Sequence, residues 1–186
     1  RRRDDAALTR RRVLQGAGGL IAAAAFPGPV AAQGRPASEA GGDVTGRLAR
    51  YMVEARDRAL PAAVAREAKH RILDTFGAIV SGSTLKPGEM AVRFVRSQGG
   101  VPEASVFTTG IKSSAINAAM ANAMFAHADE TDDFEPTTKA HPGCSVVPAA
   151  FALAEREGRS GMDLLRGVTL GYDLCCRFLM ALGPDH

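Results

Sequence analysis

The sequence predicts an all-α protein, a bundle of about six helices with little or no sheet. Three observations carry that expectation. Apolar residues recur at helical spacing through most of residues 45–182. Helix start and stop signals from Pro, Gly, Ser and Asp flank these runs. Only one short stretch, "EASVFTTG", has extended character, enough for one strand at most.

The elements follow in chain order. "VTGRLARYMVEARDRAL" is an amphipathic helix with Leu48, Met52 and Ala55 on one side, stopping before Pro61. "LPAAVAREAKHRILDTFGAIVSGS" is the second, with Pro61 acceptable in its first turn. Its second half is apolar nearly all round, which predicts burial. "KPGEMAVRFVRSQGG" is a short helix with a double-glycine stop. "SSAINAAMANAMFAHA", residues 113–128, is a strong helix capped by Ser113 or Ser114 and without charge. A further helix begins after "HPG" as "SVVPAAFALAEREG", with Pro148 in its first turn and Gly158 at C′. The last opens on "SGMD", Ser160 with Asp163 three residues on, a capping box.

The first 32 residues read as an export leader. Arginines precede a small apolar run, "GGLIAAAAF", and "PVAAQG" offers a cleavage site after Ala32. The arginine pair marks a twin-arginine-type address, which implies a periplasmic protein. The apolar run is too short for a bilayer, which takes ~20 residues, so no membrane attachment is expected of the mature form. "QGRPASEAGGD" continues as a linker over residues 33–44, and the folded domain occupies 45–186. The leader holds six Arg and two Asp, a net of +4 within a chain of +3, so the remainder carries −1. The basic pI is therefore no evidence for nucleic acid.

Chemistry concentrates in "HADETDDFEPTTKAHPG", residues 127–143. Asp129, Glu130, Asp132 and Asp133 lie within five positions, between His127 and His141. On a helix, Asp129 would fall beside Asp132 and Asp133. Acids at a helix C-terminus oppose its dipole, an arrangement that favours function over stability. Four readings compete. A Mg²⁺–diphosphate site would use an Asp-rich cluster at a helix end, but no second acidic motif follows. A Ca²⁺ loop would need glycine and alternating ligands that are missing. Metal-free acid–base catalysis would pair His141 with a neighbouring carboxylate. A solvated acidic turn would need no function at all. The three cysteines, Cys144, Cys175 and Cys176, are too few for a zinc framework and read as small buried hydrophobes; a disulfide from Cys144 to one of the others is the alternative. Asn117 and Asn122 read as bridges between helices.

"ILDTFGAIVSG", "AAMANAMFAHADETDDF" and "HPGCSVVPAAFALAEREGRSGMDLLRGVTLGYDLCCR" together resemble the N-terminal part of the MmgE/PrpD family, which includes 2-methylcitrate dehydratases and cis-aconitate decarboxylases. The resemblance implies a helical domain, a second smaller α+β domain that is absent from these residues, and a homodimer. It implies elimination of water or carbon dioxide from a small polycarboxylic acid, with no metal and no organic cofactor. By position, the family's Asp pair falls on Asp132 and Asp133, and the histidine of its His-Pro element on His141, giving the catalytic candidates. Glu130, Lys139 and His127 are the candidates for substrate contact. Glu130 stands where the family usually has Asp, and Phe134 where it often has Thr, which implies a substrate other than methylcitrate or aconitate. Lysine- and histidine-bearing segments of the longer family members are missing, so this chain is expected to carry half an active site, as a truncated product or fragment. A non-catalytic helical remnant serving as an interaction module is the competing expectation.

Overall fold

The protein is described by a computed structural model over residues 43–183. The proposed leader, and the linker as far as Gly42, lie outside the described residues. The described residues form six helices: α1 (Val44–Asp57), α2 (Ala62–Gly82), α3 (Lys86–Gln98), α4 (Ala115–Ala126), α5 (Pro142–Glu157) and α6 (Gly161–Leu182). The all-α class is as expected. The "EASVFTTG" stretch holds one strand, β1 (Ala104–Val106), and the residues just after it add a second, β2 (Ile111–Ser113), in an antiparallel hairpin with Ser105 opposite Lys112.

Helix α4 is the centre. It packs against α2, α3, α5 and both strands. Its composition explains this position, since Ala118, Ala121 and Ala126 are fully buried and small enough to let neighbours approach, while Phe125, also fully buried, fills the space between them. At Gly82, where α2 ends, an added Cβ would overlap the Phe125 carbonyl, so only glycine permits that approach. Ile79, Val95 and Val106 close around Phe125 from α2, α3 and β1. Burying a side chain of Phe size is worth about 1.5–3 kcal/mol. Phe76, Phe107 and Phe151 meet edge to face with centroids 5.0–5.5 Å apart. Asn122 bridges α4 to the hairpin rather than to a helix, accepting from Phe107 N at 2.9 Å and donating to the Ser105 carbonyl at 2.9 Å. Asn117 plays no such part; its backbone N–H meets the Ser114 hydroxyl at the cap of α4.

Helix α6 holds the outer layer. The Ser160–Asp163 capping box starts it as expected. It packs on α1, α2 and α5, and Tyr51 of α1 donates to its Asp173 at 2.7 Å. Gly158 ends α5 in the left-handed conformation.

Three expectations need correction. Helix α5 begins at Pro142, earlier than expected, so Pro148 lies inside it and removes one backbone bond. The apolar helices are not buried all round: Leu73, Val80, Ile116 and Leu153 are exposed. The cysteines are part-buried and all three are free thiols.

Candidate active site

Helix α4 stops at Ala126, and His127 is its C-cap. The acidic residues are therefore not aligned on a helical face. They lie in a loop that runs from 128 to the start of α5, and they do not converge on one point. Asp129 accepts from the Ser81 hydroxyl of α2 and from the Thr131 hydroxyl at 2.7 Å. These bonds hold its carboxyl below the usual range. Glu130 has φ 58°, a left-handed conformation that costs a non-glycine residue about 1–2 kcal/mol, and its side chain points into solvent.

Asp132 turns inward. Its carboxylate has no solvent exposure, and both oxygens lie 3.1 Å from His127 Nδ1. His141 Nδ1 lies 3.5 Å from Asp132 Oδ2. Two imidazoles thus share one buried carboxylate. Their rings meet at 5.4 Å, tilted 66°. A buried charge of this kind needs such partners. His127 has a carboxylate partner, yet 47% of its side chain is exposed, so it is not a core residue. Glu130 Oε1 stands 3.6 Å from its other nitrogen, Nε2.

Asp133 faces the other way. Its Oδ1 accepts from the Gly143 N–H at 2.8 Å, capping the first turn of α5. Its Oδ2 accepts from the Tyr172 hydroxyl of α6 at 2.7 Å. His141 is the N-cap residue of α5 but makes no side-chain cap. The carboxylate that does the capping comes from ten positions before Gly143, leaving the His141 ring free to turn toward Asp132. Burial, followed by the neighbouring Asp133, pushes the Tyr172 hydroxyl well above the ordinary tyrosine range, so it stays protonated and donating. Gly143 is required here. A Cβ would lie 2.6 Å from Asp133 Oδ1, 2.7 Å from Thr75 Oγ1 and 2.8 Å from the Tyr172 oxygen.

The loop closes through Glu135, whose carboxylate accepts from Thr138 N at 2.7 Å, the Thr138 hydroxyl at 2.6 Å and Thr137 N at 3.1 Å. Those bonds hold it at about 2. Lys139 is exposed and has φ 58°. Cys144 donates to the His141 carbonyl at 3.1 Å; burial, then the nearby Asp132, pushes its thiol up to about 12.

The structure therefore brings together His127, Asp132 and His141, with Glu130 at their edge. It separates Asp133 from them and leaves Lys139 in solvent. Tyr172, Thr75, Gly143 and Ser81 complete the arrangement, and none of them stands out by sequence chemistry alone. The "Gly-Tyr" pair of α6 is the available signal for Tyr172. Phe134 packs against His141 at 5.4 Å and also lines a cleft of about 390 Å³ with Arg71, Val168, Tyr172 and Cys176. The histidines stand outside that lining. The scattered partners of the four acids do not make a convergent diphosphate–metal site.

Residues 46–186 match the MmgE/PrpD N-terminal domain. The chain belongs to the MmgE/PrpD family. It is 28% identical over 139 residues to the cis-aconitate decarboxylase-like protein oryM of Aspergillus oryzae (strain ATCC 42149 / RIB 40), an alignment covering 71% of this chain and 29% of that protein. It is 28% identical over 141 residues to cis-aconitate decarboxylase of Aspergillus terreus, covering 73% and 29%. The chain thus spans under a third of the length of these relatives.

Proposed function

We propose that this domain supplies the acid–base histidine of a lyase acting by elimination on a small polycarboxylic acid. The pairing of His141 with the buried Asp132 is the observation that supports it most strongly. The Asp132 carboxylate, 3.5 Å from Nδ1, faces that side of the ring and favours a positive charge on it, leaving Nε2 to exchange a proton with a substrate carbon or leaving group. Asp132 is in this reading a positioning residue. Asp133 positions His141 more remotely, through the first turn of α5. His127, Glu130 and Lys139 border the same loop and are the candidates for contact with the substrate carboxylates. The lysine's charge opposes theirs, and the two left-handed residues, Glu130 and Lys139, hold their side chains at fixed exits from the loop. The family and the named relatives favour elimination at a carboxylated carbon, and dehydration and decarboxylation are both consistent with this geometry. Further proposals from the sequence are export to the periplasm and a homodimer. No helix among the described residues is long and apolar enough to cross a membrane.

The test is elimination from a panel of citrate-like and aconitate-like acids, followed by proton NMR, in a polypeptide spanning the length of the relatives. His141→Asn is expected to slow the reaction by about 10²–10⁴-fold, the range of a lost general acid–base group. Turnover unchanged in that variant, or no elimination from any acid tested, would overturn the proposal.

A further inference from the structure

A separate groove of about 640 Å³ runs between α1 and α6, and no residue of the 127–143 loop lines it. Helix α1 has no buried residue, so its seam with α6 stays open. Three arginines line the groove: Arg56 of α1, Arg159 of the turn after α5, and Arg166 of α6. Two acids share it, Asp57 and Asp163, and both are already engaged. Asp57 Oδ2 accepts from Arg56 Nε at 3.0 Å and from Nη2 at 2.7 Å. Asp163 Oδ2 accepts from the Ser160 N–H at 3.2 Å and its hydroxyl at 2.8 Å, within the capping box. Arg166 Nε donates to the Arg58 carbonyl at 3.3 Å, which steadies that guanidinium, and its Nη1 stands 3.6 Å from Asp163 Oδ1. Arg159 is exposed, and its guanidinium has no hydrogen bond or ion pair among the described residues.

Gly167 lines the same groove from the middle of α6. A Cβ there would meet nothing nearer than the Ala150 Cβ at 4.0 Å, so packing does not require glycine. Glycine inside a helix weakens it, and its effect at this position is to leave the groove unfilled. Met52 and Leu170 add apolar wall. We infer that the groove binds a small phosphate monoester with an apolar substituent. Such a group carries about −1.5 to −2 charge at pH 7 and offers three strong acceptor oxygens, which suits several guanidinium forks around one space. A single carboxylate offers less charge and fewer acceptors. The apolar wall and the space above Gly167 receive the substituent.

The inference is independent of the lyase proposal, because it uses none of the residues of the 127–143 loop and is read by binding alone. Phenyl phosphate is the probe, titrated calorimetrically into the protein at low ionic strength, where surface charges are least screened. One molecule per chain is expected. Arg159→Ala and Arg166→Gln should each weaken it about tenfold or more, the loss of a hydrogen bond between charged groups. Gly167→Met, which fills the groove, should weaken it by a similar factor. Arg96→Ala, at an exposed arginine of α3, leaves binding unchanged. Benzoate, with the same ring and one charge, should bind at least about tenfold more weakly, and inorganic phosphate more weakly than phenyl phosphate. Arg159 is exposed, and circular dichroism confirms that its variant folds. No binding of phenyl phosphate, binding equally tight in Arg159→Ala and the unaltered protein, or benzoate bound as tightly as phenyl phosphate overturns the inference. None of these results bears on elimination chemistry.

Discussion

The Tyr172 hydroxyl donates to Asp133 Oδ2 at 2.7 Å, joining residues 39 positions apart and fastening α6 to the first turn of α5. Asp133 passes that attachment to the Gly143 N–H, two residues beyond His141. The catalytic candidate therefore sits on a helix end held in place from two directions.

Replacing Tyr172 with Phe removes a hydrogen bond to a charged group and is expected to lower stability by about 1.5–3 kcal/mol. Denaturant unfolding measures it. The pH dependence has a definite sign. The hydroxyl is shifted upward on folding, so its contribution is complete below the unfolded value of about 10 and declines as pH rises beyond it. Tyr172→Phe should reduce that alkaline decline.

Gly143→Ala places a methyl group against Asp133, Thr75 and Tyr172 at once, each closer than 3 Å. Asp133 and Tyr172 cannot withdraw without breaking the attachment. A loss of about 1–3 kcal/mol is expected from overpacking. Gly161→Ala is the contrast, because nothing lies within 4 Å of the added carbon. Its melting temperature should equal or slightly exceed that of the unaltered protein.

Glu135 should titrate near 2 by carbon-detected NMR. The Thr138 hydroxyl is the largest cause, so Thr138→Val should bring the value back toward 4.5. The folded value is depressed. Its contribution to stability is therefore present above about 4.5 and lost as pH falls toward 2.

Much of the fold was legible because helices advertise themselves over many residues. The Ser160 capping box, the Gly158 stop and the apolar period of α2 are local signals, and the structure follows them. The hairpin was half seen, since strands of three residues are too short for alternation to register. The start of α5 was displaced because its cap, Asp133, lies outside any local window. The same holds for the site. His127, Asp132 and His141 could be chosen for their chemistry, but the division of labour among the four acids could not. Ser81 and Tyr172, the residues that draw Asp129 and Asp133 away, lie 48 and 39 positions off in sequence. The helical alignment expected of Asp129, Asp132 and Asp133 failed because α4 ends at Ala126, before the first of them.

The central claim is that His127, Asp132 and His141 act as one unit that meets a small carboxylic acid. Histidine-resolved proton NMR during titration with each of a panel of citrate-like and aconitate-like acids tests it most directly. The ring signals of His127 and His141 should move together and saturate, those of His70 should stay, and His141→Asn should abolish the response at His127. Unmoved signals at both histidines, or a shift at His70 of the same size, would contradict it.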